Sequence, residues 1–142
     1  MSYLLDTNAC IALINQNPAA VGARLDRAIA RDEEIFVSVV AAFELWYGVA
    51  KSSRKESNAK RVETFLAGPL TLLPFDEGDA QSAARIRAAL EAAGTPVSAY
   101  DLLIAGQAMR RQLTLITANV REFSRIKGLS WEDWTKGGPP LA

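Results

Sequence analysis

Along the chain, short runs of apolar residues alternate with segments in which apolar residues recur at helical spacing. This pattern predicts strands that alternate with helices. Tyr3-Leu4-Leu5 is a short apolar run that ends at Asp6. Ile11, Leu13 and Ile14 then recur at helical spacing. The start of the chain is therefore interpreted as a strand, an acidic residue at its tip, and a helix that opens at residues 7 and 8.

The same reasoning divides the rest of the sequence. Apolar runs predict further strands at 35–39, 70–73 and 113–117, with a last edge strand at 130–131. Helical spacing predicts helices from 18 to about 31 and at 40–51, 55–66, 77–93 and 100–111. Pro18 is typical of a first helical turn, and Gly94 of the position after a helix end.

Strands that alternate with helices favour an α/β fold with a mostly parallel central sheet and helices on both faces. At 142 residues the chain has the usual size of one domain. We predict a domain at 1–134 and a flexible tail at 135–142. Sheets of this kind bind ligands at the carboxyl ends of their strands, which is where Asp6 and Thr117 are expected.

The absence of histidine narrows the chemistry more than any other feature of the composition. With no His and a single Cys, the chain cannot form a Ser-His-Asp triad, a Cys-His pair, a histidine ribonuclease site or the common zinc sites. An enzyme of this composition must rely on carboxylates. Carboxylate oxygens suit Mg²⁺ and Mn²⁺, the metals of phosphate chemistry.

The charge pattern offers only local attraction for a polyanion, because 16 basic and 16 acidic residues give a net charge of zero. Two basic stretches stand out, although a solvated surface explains each of them equally well. They are Lys51, Arg54, Lys55, Lys60 and Arg61, and Arg110, Arg111, Arg121, Arg125 and Lys127.

The first residues and the lengths of the apolar runs indicate where in the cell the protein is expected. The first residues lack the basic segment and the apolar core of a secretory signal, and the apolar runs are too short for a bilayer span. We expect a soluble protein without a membrane partner, in a reducing cytoplasm.

Glu44 is the most unusual acidic residue of the sequence. From residue 35 to 50, Ser38 and Glu44 are the only clearly polar side chains. Because a buried carboxylate is costly without a partner, this pattern favours a metal-binding or catalytic role. The alternative is a Glu at the exposed edge of a helix.

Asp6 and Asp101 each have a second explanation. Asp6 directly follows a strand and is a good N-cap for the next helix. Asp101 stands three residues after Ser98, a spacing close to a capping box. Their joint placement with Glu44 favours a shared site over three separate structural roles.

Four ordered motifs resemble those of the PIN-domain ribonucleases, and within them the VapC-type toxins of bacterial toxin–antitoxin pairs. The resemblance covers nearly the whole chain. The matching stretches are Tyr3-Leu4-Leu5-Asp6-Thr7-Asn8, Phe43-Glu44-Leu45-Trp46-Tyr47-Gly48, Tyr100-Asp101-Leu102-Leu103-Ile104-Ala105 and Thr117-Ala118-Asn119-Val120-Arg121-Glu122-Phe123.

The resemblance implies a site for one or two Mg²⁺ or Mn²⁺ ions held by Asp6, Glu44 and Asp101. Glu122 and Asn119 occupy the region of the family's fourth acid, where many relatives carry Asp at the Asn119 position. Glu122, Asn119 or a water could each complete the set. Thr7, Asn8 and Thr117 are then expected to orient the carboxylates.

The resemblance also implies an activity and partners. A metal-activated water would hydrolyse a structured RNA, most often a transfer RNA and often in its anticodon stem-loop, leaving 5′-phosphate and 3′-hydroxyl ends. A VapB-type antitoxin would occupy an apolar groove, and a homodimer, a heterotetramer or a higher assembly would form. Operator DNA would be bound only through the antitoxin.

The residues expected in the antitoxin groove are Leu13, Trp46, Tyr47 and Val49, for which ordinary core packing is an equal explanation. Two other functions are conceivable from the sequence. Phosphoryl transfer through an aspartyl phosphate lacks support, because Asp6 is followed by Thr-Asn with no second Asp close to it, and no Lys lies near Thr117. A catalytically degenerate PIN domain that only binds an antitoxin stays open, because Ala118 and Asn119 are not acids.

Overall fold

The computed structural model describes residues 1–136, which form one parallel sheet covered by helices. The strand order is β3-β2-β1-β4-β5, so the chain winds outward from β1 in both directions. The strands are β1 (Ser2–Leu5), β2 (Glu34–Ser38), β3 (Thr71–Leu73), β4 (Thr114–Ile116) and β5 (Trp131–Glu132). Every pair is parallel, which confirms the predicted fold class.

Helices connect the strands and cover the sheet. Most are long enough to present an apolar side to it, whereas the last is a single turn. They are α1 (Thr7–Asn15), α2 (Ala19–Ala30), α3 (Val39–Lys51), α4 (Lys55–Leu66), α5 (Glu77–Ala92), α6 (Ala99–Arg111) and α7 (Val120–Phe123), followed by a 3₁₀ turn at Trp134–Lys136.

The central strand β1 is buried on both faces. Tyr3, Leu4 and Leu5 are almost inaccessible to solvent, as are Leu115 and Ile116 on the neighbouring β4. A continuous apolar run, rather than an alternating one, is what a parallel strand with helices on both sides requires. The run before Asp6 therefore places that aspartate at the centre of the sheet.

Several predicted boundaries shift by one or two residues. The strand expected to reach residue 39 ends at Ser38, because Ser38 caps α3 by accepting a hydrogen bond from the Val40 N–H at 3.0 Å. Helix α2 begins after Pro18, and Gly94 follows α5 in the left-handed region at φ +73°. The turn α7 was not predicted, because four residues are too few to show a helical period.

The far end of the chain is only partly described. Strand β5 lies one residue later than expected, and the 3₁₀ turn includes residues 135 and 136. The rest of the predicted tail, 137–142, lies outside the described residues. None of the helices in the described part combines the length and apolar character needed to cross a bilayer.

Candidate active site

Asp6 lies at the carboxyl end of the central strand and is almost completely buried, at 2% exposure. Its N–H donates to the Ile116 carbonyl at 3.1 Å, which ties the site to β4. Its side chain caps α1, with Oδ1 accepting from the Ala9 N–H at 2.7 Å. The capping explanation therefore holds for Asp6.

The pKa of Asp6 is raised to about 6, and burial is the main cause. The negative charge of Glu44 raises it further, while hydrogen bonds from Thr117 and from the Ala9 and Asn8 backbone lower it. A buried acid that repels its neighbours and lacks a basic partner is a position where a cation would be favourable.

Glu44 lies in the second turn of α3 and faces α1. The Thr7 hydroxyl donates to Glu44 Oε1 at 2.6 Å. This is the kind of contact that the predicted orienting role of Thr7 requires. Thr7 is buried and Glu44 is half-buried. Glu44 therefore lies at a partly exposed edge of the helix, with its carboxylate held against the residue that follows Asp6.

Asp101 lies in the first turn of α6, but no capping box forms there. The Ser98 side chain makes no capping bond to the helix backbone. Its hydroxyl instead donates to Asp101 Oδ2 at 2.9 Å, while the Ser98 N–H donates to Glu122 Oε1 at 3.2 Å. The capping explanation for Asp101 is therefore wrong, and Ser98 serves the acidic cluster.

The short helix α7 brings Glu122 and Asn119 to Asp101. The Asn119 amide donates to Glu122 Oε2 at 2.7 Å and to Asp101 Oδ2 at 3.2 Å, bridging the two acids. Both candidates for the fourth position thus lie beside Asp101, and the structure does not select one as a ligand. Ala118, between Thr117 and Asn119, is exposed.

The two acids of this bridge have opposite pKa shifts. Burial is the main cause that raises the pKa of Asp101 to about 6, and the hydrogen bond and charge of Glu122 and the charge of Asp6 raise it further. Burial also acts to raise the pKa of Glu122, but hydrogen bonds from Asp101, Asn119 and Ser98 outweigh it and lower the pKa. The bridge thus stabilises the charged form of Glu122 and disfavours that of Asp101.

Thr117 and Asn8 complete the surroundings of Asp6. Thr117 is buried at the end of β4, bonds to the Asp6 side chain, and accepts from the Asn119 N–H at 2.9 Å. It thereby links the Asp6 side of the site to the Asp101 side. Asn8 reaches Asp6 through its backbone N–H, although its side chain was the group expected to orient the carboxylates.

The donor set fits a hydrated divalent cation better than a tightly enclosed one. Among residues 1–136, no three acidic or cysteine side chains stand close enough together to enclose an ion as placed. Mg²⁺, however, keeps several waters and takes only one or two carboxylates together with substrate phosphate oxygens. Asp6, Glu44, Asp101 and Glu122 supply hard oxygen ligands, and Asp6 is within electrostatic reach of both Glu44 and Asp101.

Sequence reasoning missed the role of Ser98. It identified Ser98 correctly as the N-cap residue of α6 from the spacing Ser-x-x-Asp, but the side chain makes no capping bond there. The hydroxyl is shared by two acids from different parts of the chain, since its distance to Glu122 Oε2 is 3.3 Å. No local pattern reveals such a contact across 24 residues.

The residues expected in an antitoxin groove lie on different surfaces. Leu13 and Val49 are partly buried and pack against the core. Trp46 and Tyr47 are exposed, and Tyr47 lies on the opposite side of α3 from Val49, because the two are 200° apart on a helical wheel. An antitoxin groove formed by these four residues therefore remains a prediction. A different groove lies beside Leu13 and Val49.

Three adjoining cavities form this groove across α1, α2 and α4. Their volumes are about 200, 460 and 530 Å³. The first is lined by Glu44 and Val49, so the groove begins at the acidic site. The second shares Ile14 and Arg61 with the first, and the third shares Leu13, Gln16 and Phe65 with the second.

Comparison with known proteins identifies close relatives of the whole chain. The PIN domain family model matches residues 3–129. The tRNA(fMet)-specific endonuclease VapC of Salmonella typhimurium is 40% identical over 134 residues, covering 94% of this chain and 98% of that protein. The protein of the same name from Shigella flexneri is 38% identical over 135 residues, covering 95% and 99%.

A solved structure has the same architecture. The crystal structure of VapBC2 from Rickettsia felis, bound to a DNA fragment from their promoter, superposes with a TM-score of 0.87 at 35% identity. The match covers 94% of this chain and 99% of the other. The likeness therefore extends over the sheet, the helices and the candidate site together.

Proposed function

Because the chain belongs to the PIN-domain family, among the VapC ribonucleases, we propose that it is a metal-dependent endoribonuclease toxin controlled by an antitoxin. The observation that supports this most directly is the buried Asp6 at the carboxyl end of β1, which interacts with the like charges of Glu44 and Asp101, while Asn119 bridges Asp101 to Glu122. Two of these acids, Asp6 and Asp101, have pKa values raised to about 6 by burial and by neighbouring acids. A divalent cation would relieve this repulsion.

Asp6, Glu44 and Asp101 would hold one or two Mg²⁺ or Mn²⁺ ions, with Glu122 or Asn119 at the edge of the set. A bound ion would polarise the scissile phosphate and lower the pKa of a water nucleophile. Thr7 holds the Glu44 carboxylate in one orientation, and Thr117 does the same for Asp6. Asp101 and Asp6 would release protons as the ion binds, since their pKa values are raised.

The chain itself offers no histidine to activate the 2′-hydroxyl of the RNA. Hydrolysis by water is the reaction that a carboxylate site supports, and it leaves 5′-phosphate and 3′-hydroxyl ends. The finding of a 2′,3′-cyclic phosphate would contradict this mechanism.

A transfer RNA is the proposed substrate, with the anticodon stem-loop as the expected place of cleavage. The support is the name of the Shigella and Salmonella relatives, which are tRNA(fMet)-specific endonucleases. Recognition would depend on the shape of a loop and on its unpaired bases.

A VapB-type antitoxin is the proposed partner, since VapBC complexes are among the structural neighbours. We place its apolar segment in the groove over α1, α2 and α4, because the groove ends at Glu44. A segment bound there could bring a basic side chain to the carboxylates and block them. A homodimer, or a larger assembly with the antitoxin, would contact operator DNA through the antitoxin.

The test is cleavage of total cellular RNA by the purified, antitoxin-free protein, followed by sequencing of the new ends. We expect cleavage with Mg²⁺ or Mn²⁺, none with excess chelator, and a loss of at least about 100-fold in Asp6→Asn and Glu44→Gln. Glu77→Gln is the matched control, because Glu77 is an exposed acid of α5 away from the site.

Cleavage that persists in chelator, or in Asp6→Asn, would contradict the metal mechanism. If the wild type cleaves no cellular RNA but still binds its antitoxin, the protein is a binding module instead. Growth arrest on expression, present with intact Glu44 and absent with Glu44→Gln, is the corresponding test in cells.

A further inference from the structure

Two exposed aromatic side chains stand directly beside the acidic site. Phe43 precedes Glu44 on α3, and Tyr100 precedes Asp101 on α6. They are 53% and 46% exposed, and their ring centroids are 5.6 Å apart with the planes tilted by 54°. Two helices from distant parts of the sequence thus present one aromatic surface next to two of the carboxylates.

Core packing does not account for this pair. The large aromatic residues that stabilise the core, Tyr3, Phe123 and Trp134, are each 2% exposed or less. Phe43 and Tyr100 lie outside that core and leave about half of their surface in water, which is unfavourable for a large apolar ring. A surface that is retained at this cost is a candidate for contact with another molecule.

The aromatic surface continues along α3 toward a cation. Phe43, Tyr47 and Lys51 follow one another at four-residue steps, which places them on one side of the helix. The Lys51 ammonium lies 5.0 Å from the centroid of the Tyr47 ring. From Phe43 to Lys51 the row is about 12 Å long, at about 1.5 Å per residue. Arg54 and Lys55, also exposed, extend the positive charge beyond the helix.

We propose that Phe43 and Tyr100 stack an unpaired base of the RNA and so hold the adjoining phosphate at the carboxylates. This inference rests on the proposed ribonuclease function and adds a specificity element to it. Tyr47 offers a second ring to the next base, and Lys51 neutralises a phosphate of the same strand. Aromatic rings interleaved with cations are the usual surface for a single strand, because every base has a face that can stack.

The surroundings favour RNA over a second copy of the chain. A second copy bound through this same surface would bring its own carboxylates, and no compensating cation, against those beside Phe43 and Tyr100. A stacked base covers the rings and leaves the carboxylates open to a cation and to the phosphate. The row also selects for unpaired bases, since a base inside a duplex presents no free face.

Stacking can be measured in the absence of cleavage. The probe is a short single-stranded RNA with 2-aminopurine in place of adenine, mixed with Asp6→Asn protein and Mg²⁺. We expect quenching of 2-aminopurine fluorescence on binding. Adding Phe43→Ala or Tyr100→Ala should weaken binding roughly 5- to 100-fold, the equivalent of one base stacked on one ring. Phe43→Tyr and Tyr100→Phe should restore it, because both keep a ring.

The matched control is Leu72→Ala, which removes an exposed apolar side chain from the edge strand β3. It should bind the probe as tightly as its parent. Absence of quenching, or equal affinity of the alanine and aromatic variants, would overturn the inference. Thermal unfolding of each variant separates loss of binding from loss of folding.

The same variants in the active protein distinguish this inference from the proposed function. On an RNA that the wild type cleaves, Phe43→Ala and Tyr100→Ala should raise KM more than they lower kcat. If the wild type cleaves and both variants cleave equally well, only the stacking inference fails. If the wild type cleaves nothing, the ribonuclease proposal itself fails. If light scattering shows that both variants turn a dimer into a monomer, the surface is a contact between copies and the inference is wrong.

Discussion

Two buried aspartates in this molecule have opposite electrostatic surroundings. Asp6 and Asp79 are 2% and 0% exposed, so water reaches neither of them. The pKa of Asp6 is raised to about 6, whereas that of Asp79 is lowered to about 2. Burial acts to raise both values, and the difference comes from the groups around each carboxylate.

Asp79 lies in the first turn of α5 and is surrounded by donors. Arg111 binds it through two nitrogens, Nε to Oδ1 at 3.1 Å and Nη2 to Oδ2 at 3.0 Å. Arg110 donates to Oδ1 at 3.1 Å, Gln107 to Oδ2 at 3.3 Å, and the Asp76 N–H to Oδ2 at 3.0 Å. These bonds outweigh burial and fasten the start of α5 to the end of α6.

Asp6 has no such partner, and acids surround it. It interacts electrostatically with Glu44 and with Asp101, both negative. The comparison teaches that the chain compensates the buried charge of Asp79 with its own arginines, whereas it places further acids around Asp6. Burial alone therefore does not set the direction of the pKa shift of a buried acid, and the sign of the neighbouring charges does.

The largest expected effect is on stability and comes from the scaffold. Asp79→Ala removes the carboxylate that accepts from Arg110, Arg111, Gln107 and the Asp76 N–H, so we expect the free energy of unfolding to fall by about 4 kcal/mol, at about 1 kcal/mol for each donor. Urea unfolding measures it. RNA cleavage per folded molecule should stay at the wild-type level, and a loss of cleavage in the folded variant would mean that the two regions are coupled.

The opposite change is expected at the site. Asp6→Asn keeps the cap of α1, because an Asn oxygen can accept the Ala9 N–H, but it removes the repelling charge. The pKa of Asp6 is about 4 when unfolded and about 6 when folded, so its ionisation costs stability as pH rises through 6. We expect the metal-free variant to be more stable than wild type by about 3 kcal/mol at pH 8.

That gain should disappear below about pH 4, where Asp6 is protonated in both states. Added Mg²⁺ should stabilise the wild type and leave Asp6→Asn almost unchanged. If Asp6→Asn is less stable than wild type at pH 8 without metal, the ionised Asp6 does not destabilise the folded protein and this prediction is wrong.

Acid unfolding provides a third comparison. The pKa of Asp79 is about 2 when folded and about 4 when unfolded, so its contribution is present above pH 4 and is lost as pH falls toward 2. We expect about 2 kcal/mol of stability to be lost over that range. Denaturant titrations at successive pH values should show this loss in wild type and a flatter curve in Asp79→Ala.

The smallest effect is expected from one hydroxyl. Thr7→Val removes the hydrogen bond to Glu44 and leaves a side chain of similar volume, so stability should fall by about 1 kcal/mol. Mg²⁺ affinity, measured by calorimetry, should fall about 10-fold, because the carboxylate loses its fixed orientation. Thr71→Val on the edge strand is the control and should leave metal affinity as it was.

Much of the fold could be predicted from periodicity. The runs at β1, β2 and β4 are almost wholly apolar, and the helices carry apolar residues at the spacing of one buried face, so their existence and type follow from pattern. The turn α7 did not follow from periodicity. The two-residue strand β5 was predicted as an edge strand, but one residue too early. Elements of this length are set by their neighbours rather than by their own residues.

The candidate site divides in the same way. Glu44 could be predicted to need a partner from its own surroundings in the sequence, since it is an acid in an apolar helix, and the structure gives it the Thr7 hydroxyl. The sequence could not distinguish a site role of Asp101 from a helix-capping role, because Ser98 precedes it at the spacing of a capping box. Only the structure shows that Ser98 donates to Asp101 and Glu122 instead. Asp79 drew no attention, although it is the most deeply buried acid among the described residues.

The sequence alone determined that this is a parallel α/β domain without histidine chemistry, because composition and period act on each segment locally. Only the tertiary structure decided which acids face one another, which face arginine, and which aromatic rings meet beside the site. Those relations join residues as far apart as Phe43 and Tyr100, or Thr7 and Glu44. They depend on strand order and helix packing, which no local pattern encodes.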